Sequence, residues 1–328
     1  MSDFFRLVIF ASFIWICLTI ISSQIQSTKA RSELERINEE STILVGDSHA
    51  ENLPWDGASF ILPGSGLLHT YLVIREITER CEESTTKTFI CPIWPGSFSE
   101  HQEGRFNGKF QDKWGARIGG RLCHLWTIED WLNSKSPFFL KTQMLLGKLQ
   151  LHSGTTLRYG NNCNPETTRP EGLLFDPETY PEGWFANAKY SVMLFHEINH
   201  VIKKSNNKVI WVSTPTHKNF TISRESREQY LSLIRNDLCE SVYHIDLSFK
   251  NTNSAGFIDY HHINCHLAHE VRLSIDSVCH ALQLPWIPAL PANRVRTVLV
   301  RRAAQPQGAE RAARARELRL LRVVGLAV

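Results

Sequence analysis

The chain has no CxxC pair and no strong excess of charge of either sign. Its eight cysteines are scattered, which argues against a zinc ribbon or a thioredoxin-like redox site. The formal net charge is +3, and the Arg-rich tail that begins at Arg294 supplies +7 of it, so the rest of the chain carries −4. A mildly acidic body lacks the basic surface that nucleic acids require, and we expect no nucleic-acid partner.

Long apolar runs are also scarce, with one exception at the amino terminus. Residues 4–23 are apolar apart from Arg6 and a few hydroxyl side chains, and about 20 such residues can cross a bilayer as a helix. We expect an uncleaved membrane anchor over residues 1–23. A cleaved signal peptide is the alternative, because residues 28–30 fit a small-x-small cleavage site. The positive charges on either side of this segment do not decide its orientation in the membrane. By analogy with ordinary N-terminal anchors, we expect the part of the chain that follows it to lie outside the cytoplasm.

The rest of the chain divides into a stalk, a folded domain and a tail. Residues 24–41 are polar and charged, as in a short stalk. In residues 42–283 strand-like runs alternate with helical patterns, which predicts a three-layer α/β/α domain of flavodoxin-like type around a parallel sheet of about five strands. Residues 95–187, rich in Gly, Pro, Asn and Trp, are interpreted as a long insertion or lid. The Arg- and Ala-rich residues 284–328 are expected to be disordered.

Local patterns place the elements of this domain. Short apolar runs predict strands at residues 42–45, 58–62, 88–94, 209–214 and 242–246. Apolar spacings of three and four predict helices at residues 67–81, 137–151, 188–204, 225–239 and 264–282. Sites in parallel sheets gather at the carboxyl ends of strands, so a candidate site should directly follow a strand.

Two short motifs carry candidate chemistry. Ser48 follows the first predicted strand within GDSH (residues 46–49), and Asp259 and His262 lie in DYHH (residues 259–262) before the last helix. An Asp three residues before a His can orient the imidazole, which can then take a proton from a serine. Each motif alone also fits an ordinary turn followed by a helix N-cap.

Together the two motifs resemble the SGNH (GDSL-like) hydrolase superfamily. The likeness is closest to a membrane-anchored bacterial subgroup whose second motif reads F-x-D-x-x-H-[LI]-N, since residues 257–264 read FIDYHHIN. The strand-end pattern Thr214-Pro215-x-His217 also looks similar. The resemblance covers residues 41–283, but only its two ends are specific.

The resemblance implies a mechanism and a role. Ser48 would be the nucleophile, His262 and Asp259 its relay partners, and the N–H groups of Ser48 and Gly64 the oxyanion donors. The implied function is a serine esterase or acyltransferase that needs no cofactor. Its substrate would be a small acyl ester, above all an acetyl ester, or an acylated glycan outside the cytoplasm. Residues 4–23 would hold the enzyme at the membrane.

One departure from the family supports a second hypothesis. The family's oxyanion Asn follows the third strand, whereas residues 94–98 read WPGSF and contain none. Asn107, Asn161 or Asn162 could take that place. A catalytically silent binding protein on the same fold is therefore an alternative.

The sequence also contains a motif that is typical of a different class of enzyme. His196-Glu197-Ile198-Asn199-His200 matches HExxH, in which two histidines one helical turn apart bind zinc and the Glu acts as general base. A zinc metallopeptidase is the corresponding alternative. We interpret the segment instead as an amphipathic helix that covers the sheet, and expect no metal.

Overall fold

A six-stranded sheet lies at the centre of the computed structural model. The structure describes residues 4–15, 17, 21, 37, 39–80, 85–108, 125, 136–149, 158–161, 178–180, 188–217, 220–248, 256–258 and 262–282. The strands of the central sheet are β1 (Thr42–Gly46), β2 (Trp55–Ile61), β3 (Thr88–Ile93), β4 (Arg158–Asn161), β6 (Lys208–Ser213) and β8 (Val242–Asp246). Their order is β4-β2-β1-β3-β6-β8.

Five of these strands are parallel. β1 pairs in parallel with β2 and β3, and β6 joins β3 to β8 with the same polarity. β4 is antiparallel to β2 at one edge. The predicted α/β class with a five-stranded parallel sheet is thus confirmed, and the predicted insertion adds a sixth strand to it.

Helices follow most strands. They are α1 (Ser48–Glu51), α2 (Gly66–Arg80), α3 (Glu100–Phe106), α4 (Phe138–Leu149), α5 (Lys189–Lys203), α6 (Arg224–Arg235) and α7 (Cys265–Ala281). A 3₁₀ turn (Pro95–Phe98) precedes α3. Two short strands, β5 (Glu178–Tyr180) and β7 (Phe220–Ile222), form a separate parallel pair.

The sheet is covered on both faces because successive strand side chains point to opposite sides. In β1, Ile43 and Val45 enter one buried cluster, which also holds apolar side chains of α2, α5 and α6. Leu44 enters the other cluster, together with Leu267, Val271 and other side chains of α7. Each fully buried aliphatic side chain contributes about 1.5–3 kcal/mol. The two clusters fix the strand ends relative to α1 and α7, which carry the site.

The predicted element boundaries differ from the structure where local signals conflict. β2 begins at Trp55, three residues before the prediction, although Asp56 and Gly57 disfavour strand locally. Its pairing with β4, which begins at Trp55, and the burial of Trp55 outweigh that preference. α6 ends at Arg235 rather than near Cys239, because Asn236 caps it. Of the two helices that the structure describes within the predicted insertion, the sequence predicts α4 and not α3.

The amino terminus is described only in part. Residues 4–15 are helical and their side chains are exposed. Within the part of the chain that the structure describes, no helix is both long and apolar enough to span a membrane. Residues 1–3, 16, 18–20, 22 and 23 of the predicted anchor, most of the predicted stalk and residues 283–328 lie outside the described ranges.

Candidate active site

The first site residue stands directly after β1. Asp47 is the N-cap of α1, and its side chain accepts a hydrogen bond from the backbone N–H of His49. Ser48 is therefore the first residue of a single helical turn. Gly46 permits this tight turn, because a Cβ there would lie 2.9 Å from the Cβ of Ala50. The sequence thus presents Ser48 at the carboxyl end of a central strand.

Ser48 and His262 meet across the site. Nε2 of His262 lies 2.8 Å from Oγ of Ser48, although 214 residues separate them in sequence. Both side chains are half-buried. This distance is within the reach that a general base needs to take a proton from a serine hydroxyl.

Backbone hydrogen bonds hold the segment that carries His262. Ile258 N–H donates to the His262 carbonyl over 2.8 Å, and Asn264 N–H donates to the Gly256 carbonyl over 2.9 Å. Asn264 then caps α7, since its side chain accepts from the N–H of His266 and of Leu267. The histidine is thus fixed between a short backbone bridge and a helix N-terminus.

A third contact joins the two halves of the site and was missed by sequence reasoning. Nδ2 of Asn52, the C-cap residue of α1, donates to the Ile263 carbonyl over 2.9 Å. It ties the helix that begins at Ser48 to the residue after His262. The partners are 211 residues apart, so no local pattern signals the contact.

Asp259 lies outside the described residues, as do Tyr260 and His261. In sequence it falls between Ile258 and His262, the two residues joined by a backbone hydrogen bond. Its contact with the imidazole stays a prediction.

Asp47 places a carboxylate beside the site. Burial raises the pKa of this carboxyl, but attraction to His49, hydrogen bonds from the ring and backbone of His49, and attraction to His262 outweigh it and lower the pKa to about 2. Asp47 is therefore ionised at neutral pH and close enough to His262 for the two to interact electrostatically.

Aromatic rings line the other side of His262. The ring of His49 stacks on that of His262, with centroids 4.9 Å apart and planes inclined by 25°. It also stacks on the indole of Trp94, again at 4.9 Å and with an inclination of 29°. Trp94, which directly follows β3, thus belongs to the frame of the site.

The predicted oxyanion glycine lies in the turn after β2. Gly64 has φ of 78° and Gly66 has φ of 55°, conformations that favour glycine. Leu62 N–H donates to the Gly46 carbonyl over 3.0 Å, which attaches the turn to the end of β1. Gly64 therefore lies on the strand end next to that of Ser48.

Of the three candidate oxyanion asparagines, Asn107 is the one whose side-chain contact is described. Asn107 caps its own helix, since its Nδ2 donates to the Glu103 carbonyl over 3.0 Å. Asn161 belongs to edge strand β4, and Asn162 lies outside the described residues. Gln102 is instead the buried carboxamide near the turn, and a Cβ at Gly66 would overlap its Nε2. Among the described residues, that Nε2 has no hydrogen-bond partner.

In a second serine–histidine contact the serine is completely buried and the histidine is half-buried. Oγ of Ser213, in β6, lies 2.7 Å from Nε2 of His244 and is also hydrogen-bonded to Tyr230. Ser213 is completely buried, so no ester can reach it. This contact joins two strands and a helix.

The HExxH segment forms part of α5. Phe195, Ile198 and Ile202 are fully buried. Nδ1 of His196 lies 2.7 Å from Oδ2 of Asp237, while His200 is exposed. In the described ranges, no three His, Cys, Asp or Glu side chains are grouped so that they could hold a metal.

Comparison of the chain with protein-family models gave no match, and comparison with curated proteins gave none either. Its function is therefore inferred from the geometry of the site.

Proposed function

We propose that this chain is an SGNH-type serine hydrolase, an esterase or O-acyltransferase with Ser48 as nucleophile. One observation carries the proposal, the 2.8 Å contact between Ser48 Oγ and His262 Nε2 at the carboxyl end of a parallel sheet. The parallel strand order β2-β1-β3-β6-β8 is that of flavodoxin-like sheets, in which ligands bind outside the carboxyl ends of the strands. Both side chains are half-buried, so each keeps some contact with solvent.

The reaction would run in two steps. Ser48 Oγ attacks the ester carbonyl carbon while its proton passes to His262 Nε2, and the collapse of the tetrahedral intermediate returns that proton to the departing alcohol. Water or a second hydroxyl group then attacks the acyl-serine, again with His262 as base, and frees Ser48. Asp259 would orient His262, and the N–H groups of Ser48 and Gly64 would stabilise the oxyanion.

Gln102 is our candidate for a third oxyanion donor. It supplies a buried carboxamide whose Nε2 is not hydrogen-bonded within the described residues, next to the glycine turn that contains Gly64. Such a donor would serve the role of the Asn that is missing from residues 94–98.

The proposed substrates are small acyl esters, above all acetyl esters, on carbohydrate outside the cytoplasm. Residues 4–23 would anchor the enzyme where such glycans are assembled. Cys265 is disulfide-bonded. Disulfides persist in oxidising compartments, which supports an extracytoplasmic location.

The test compares the purified full-length protein with its Ser48→Ala variant in detergent. We expect Ser48-dependent release of acetate from acetylated oligosaccharides, or its transfer between them, and weak activity on long-chain esters. Loss of Ser48 should cost orders of magnitude in rate. Preference for long acyl chains would contradict the substrate class.

The same experiment separates the alternatives. A Ser48→Ala variant with unchanged turnover would contradict the mechanism. Glycan binding without any Ser48-dependent turnover would identify a silent binding protein. Activity that disappears with a chelator and in a His196→Ala variant would identify a zinc enzyme.

A further inference from the structure

His49 is a buried polar side chain beside the nucleophile that the proposed mechanism does not use. Only 5% of its surface is exposed. Its Nδ1 lies 2.9 Å from Oδ1 of Asp47, and its ring stacks on two others, those of Trp94 and His262. These contacts join the carboxylate before Ser48 to the ring of His262, which points to a role in the site.

The Asp47 contact fixes the His49 ring. Asp47 is ionised and can only accept, so Nδ1 of His49 must carry the proton that forms this bond. The same oxygen accepts from the His49 backbone N–H over 2.9 Å, which sets the first turn of α1. One carboxylate oxygen therefore holds both the main chain and the ring of His49.

We propose that His49 is a positioning residue for His262. This rests on the proposed serine mechanism and deepens it. The Asp47-anchored ring of His49 sets the plane of the His262 imidazole, so that Nε2 points at Ser48 Oγ. His262 precedes α7 in an irregular segment where several rotamers are open to a half-buried side chain, and stacking removes those that turn Nε2 away.

The arrangement also favours the charge that forms during catalysis. When Ser48 gives up its proton, His262 becomes an imidazolium. The negative charge of Asp47 interacts with His262 and stabilises this cation. The hydrogen bonds from His49 stabilise the ionised Asp47 carboxylate in this position beside His262.

Two substitutions at His49 distinguish the effect of ring stacking on His262 from the effect of the hydrogen bond to Asp47. His49→Leu removes both, and we expect kcat to fall about 100-fold, the scale of a small misplacement of a catalytic group. KM should change by less than about threefold, because the lost interaction orients the base and binds no substrate. His49→Phe restores a stacking ring without the Asp47 bond, and should bring kcat to within about tenfold of wild type.

His196→Leu is the matched control. It also removes a histidine bonded to a carboxylate through Nδ1, at 2.7 Å from Asp237, but on the surface of α5. Its kcat should equal that of wild type. Imidazole NMR signals add a readout that does not depend on turnover: the His262 signal should move in His49→Leu and stay near its wild-type position in His49→Phe.

Labelling the full-length protein with a fluorophosphonate probe distinguishes a failure of the proposed function from a failure of the proposed role of His49. If Ser48 is unreactive and Ser48→Ala changes nothing, the proposed function itself has failed. If Ser48 reacts but His49→Leu keeps the wild-type kcat, or His49→Leu and His49→Phe lose it equally, the positioning role is overturned. Should His49→Leu not fold, Asp47→Ala replaces it, because it removes the carboxylate that anchors the His49 ring, and a kcat equal to wild type there would also overturn the role.

Discussion

The Asp47 carboxylate accepts two hydrogen bonds from His49, one from the backbone and one from the ring. Its folded-state pKa, about 2, lies below its ordinary value of 3.8. The interactions that lower the pKa therefore stabilise the fold above pH 3.8, and their contribution is lost as the pH falls towards 2. The shift corresponds to about 2 kcal/mol.

Substitution of Asp47 by Asn should remove this pH dependence. We expect the free energy of unfolding of wild type minus that of Asp47→Asn to be about 2 kcal/mol larger at pH 5 than at pH 2. Urea titrations followed by tryptophan fluorescence measure both values. If the free energies of unfolding of the two proteins change equally with pH, the lowered pKa of Asp47 would be contradicted.

A second residue-scale prediction concerns Gln102. Gln102→Leu keeps the approximate volume and removes the amide donor, so we expect kcat to fall about 100-fold with little change in stability. Gln229→Leu is the control, since Gln229 is exposed on α6 and bonds only to Glu225 among the described residues. Equal activity of the two variants would remove Gln102 from the oxyanion site.

At the level of elements, Asn52 connects α1 to the segment that precedes α7. Asn52→Ala should cost about 1 kcal/mol of stability and lower kcat about tenfold, because Ser48 and His262 then drift relative to each other. Asn236→Ala, at the exposed C-cap of α6, should leave kcat unchanged. Steady-state kinetics and thermal melts of both variants decide the point, and an Asn52→Ala enzyme with wild-type kcat would refute it.

Elements with a long apolar repeat could be predicted from the sequence, and short ones could not. Helices α2, α5 and α7 each run for 15 residues or more and were predicted within a few residues. Helix α1 has four residues and β4 has four, too few for any period to show. β4 exists because it pairs with β2, a contact that no local pattern announces.

The candidate site also has a part that could be predicted from the sequence and a part that could not. Ser48 and His262 were identified because each lies in a motif next to a predicted element. The contacts of Asn52 with Ile263 and of His49 with Trp94 and His262 join different elements, so they depend on the final packing of the chain.

For the whole molecule, the disulfide at Cys265 should be a main support of the α7 end of the domain. Reduction, or Cys265→Ser, should lower the free energy of unfolding by about 2–4 kcal/mol. Thermal melts with and without reductant measure this. Cys239→Ser is the control, because Cys239 is an exposed free thiol and its variant should respond to reductant as wild type does. Identical melts of wild type under both conditions would contradict the expectation.

The separation of 214 positions between Ser48 and His262 in sequence also orders events during synthesis. A ribosome adds about 5–20 residues per second, so the serine emerges at least about ten seconds before its base. Throughout that interval β1 can pair with β2 and β3, while Ser48 lacks the imidazole of His262 that would activate it in the proposed mechanism. On that mechanism the nascent chain would stay inactive until the segment with His262 docks, and an interrupted translation product ending before His262 would carry Ser48 without esterase activity.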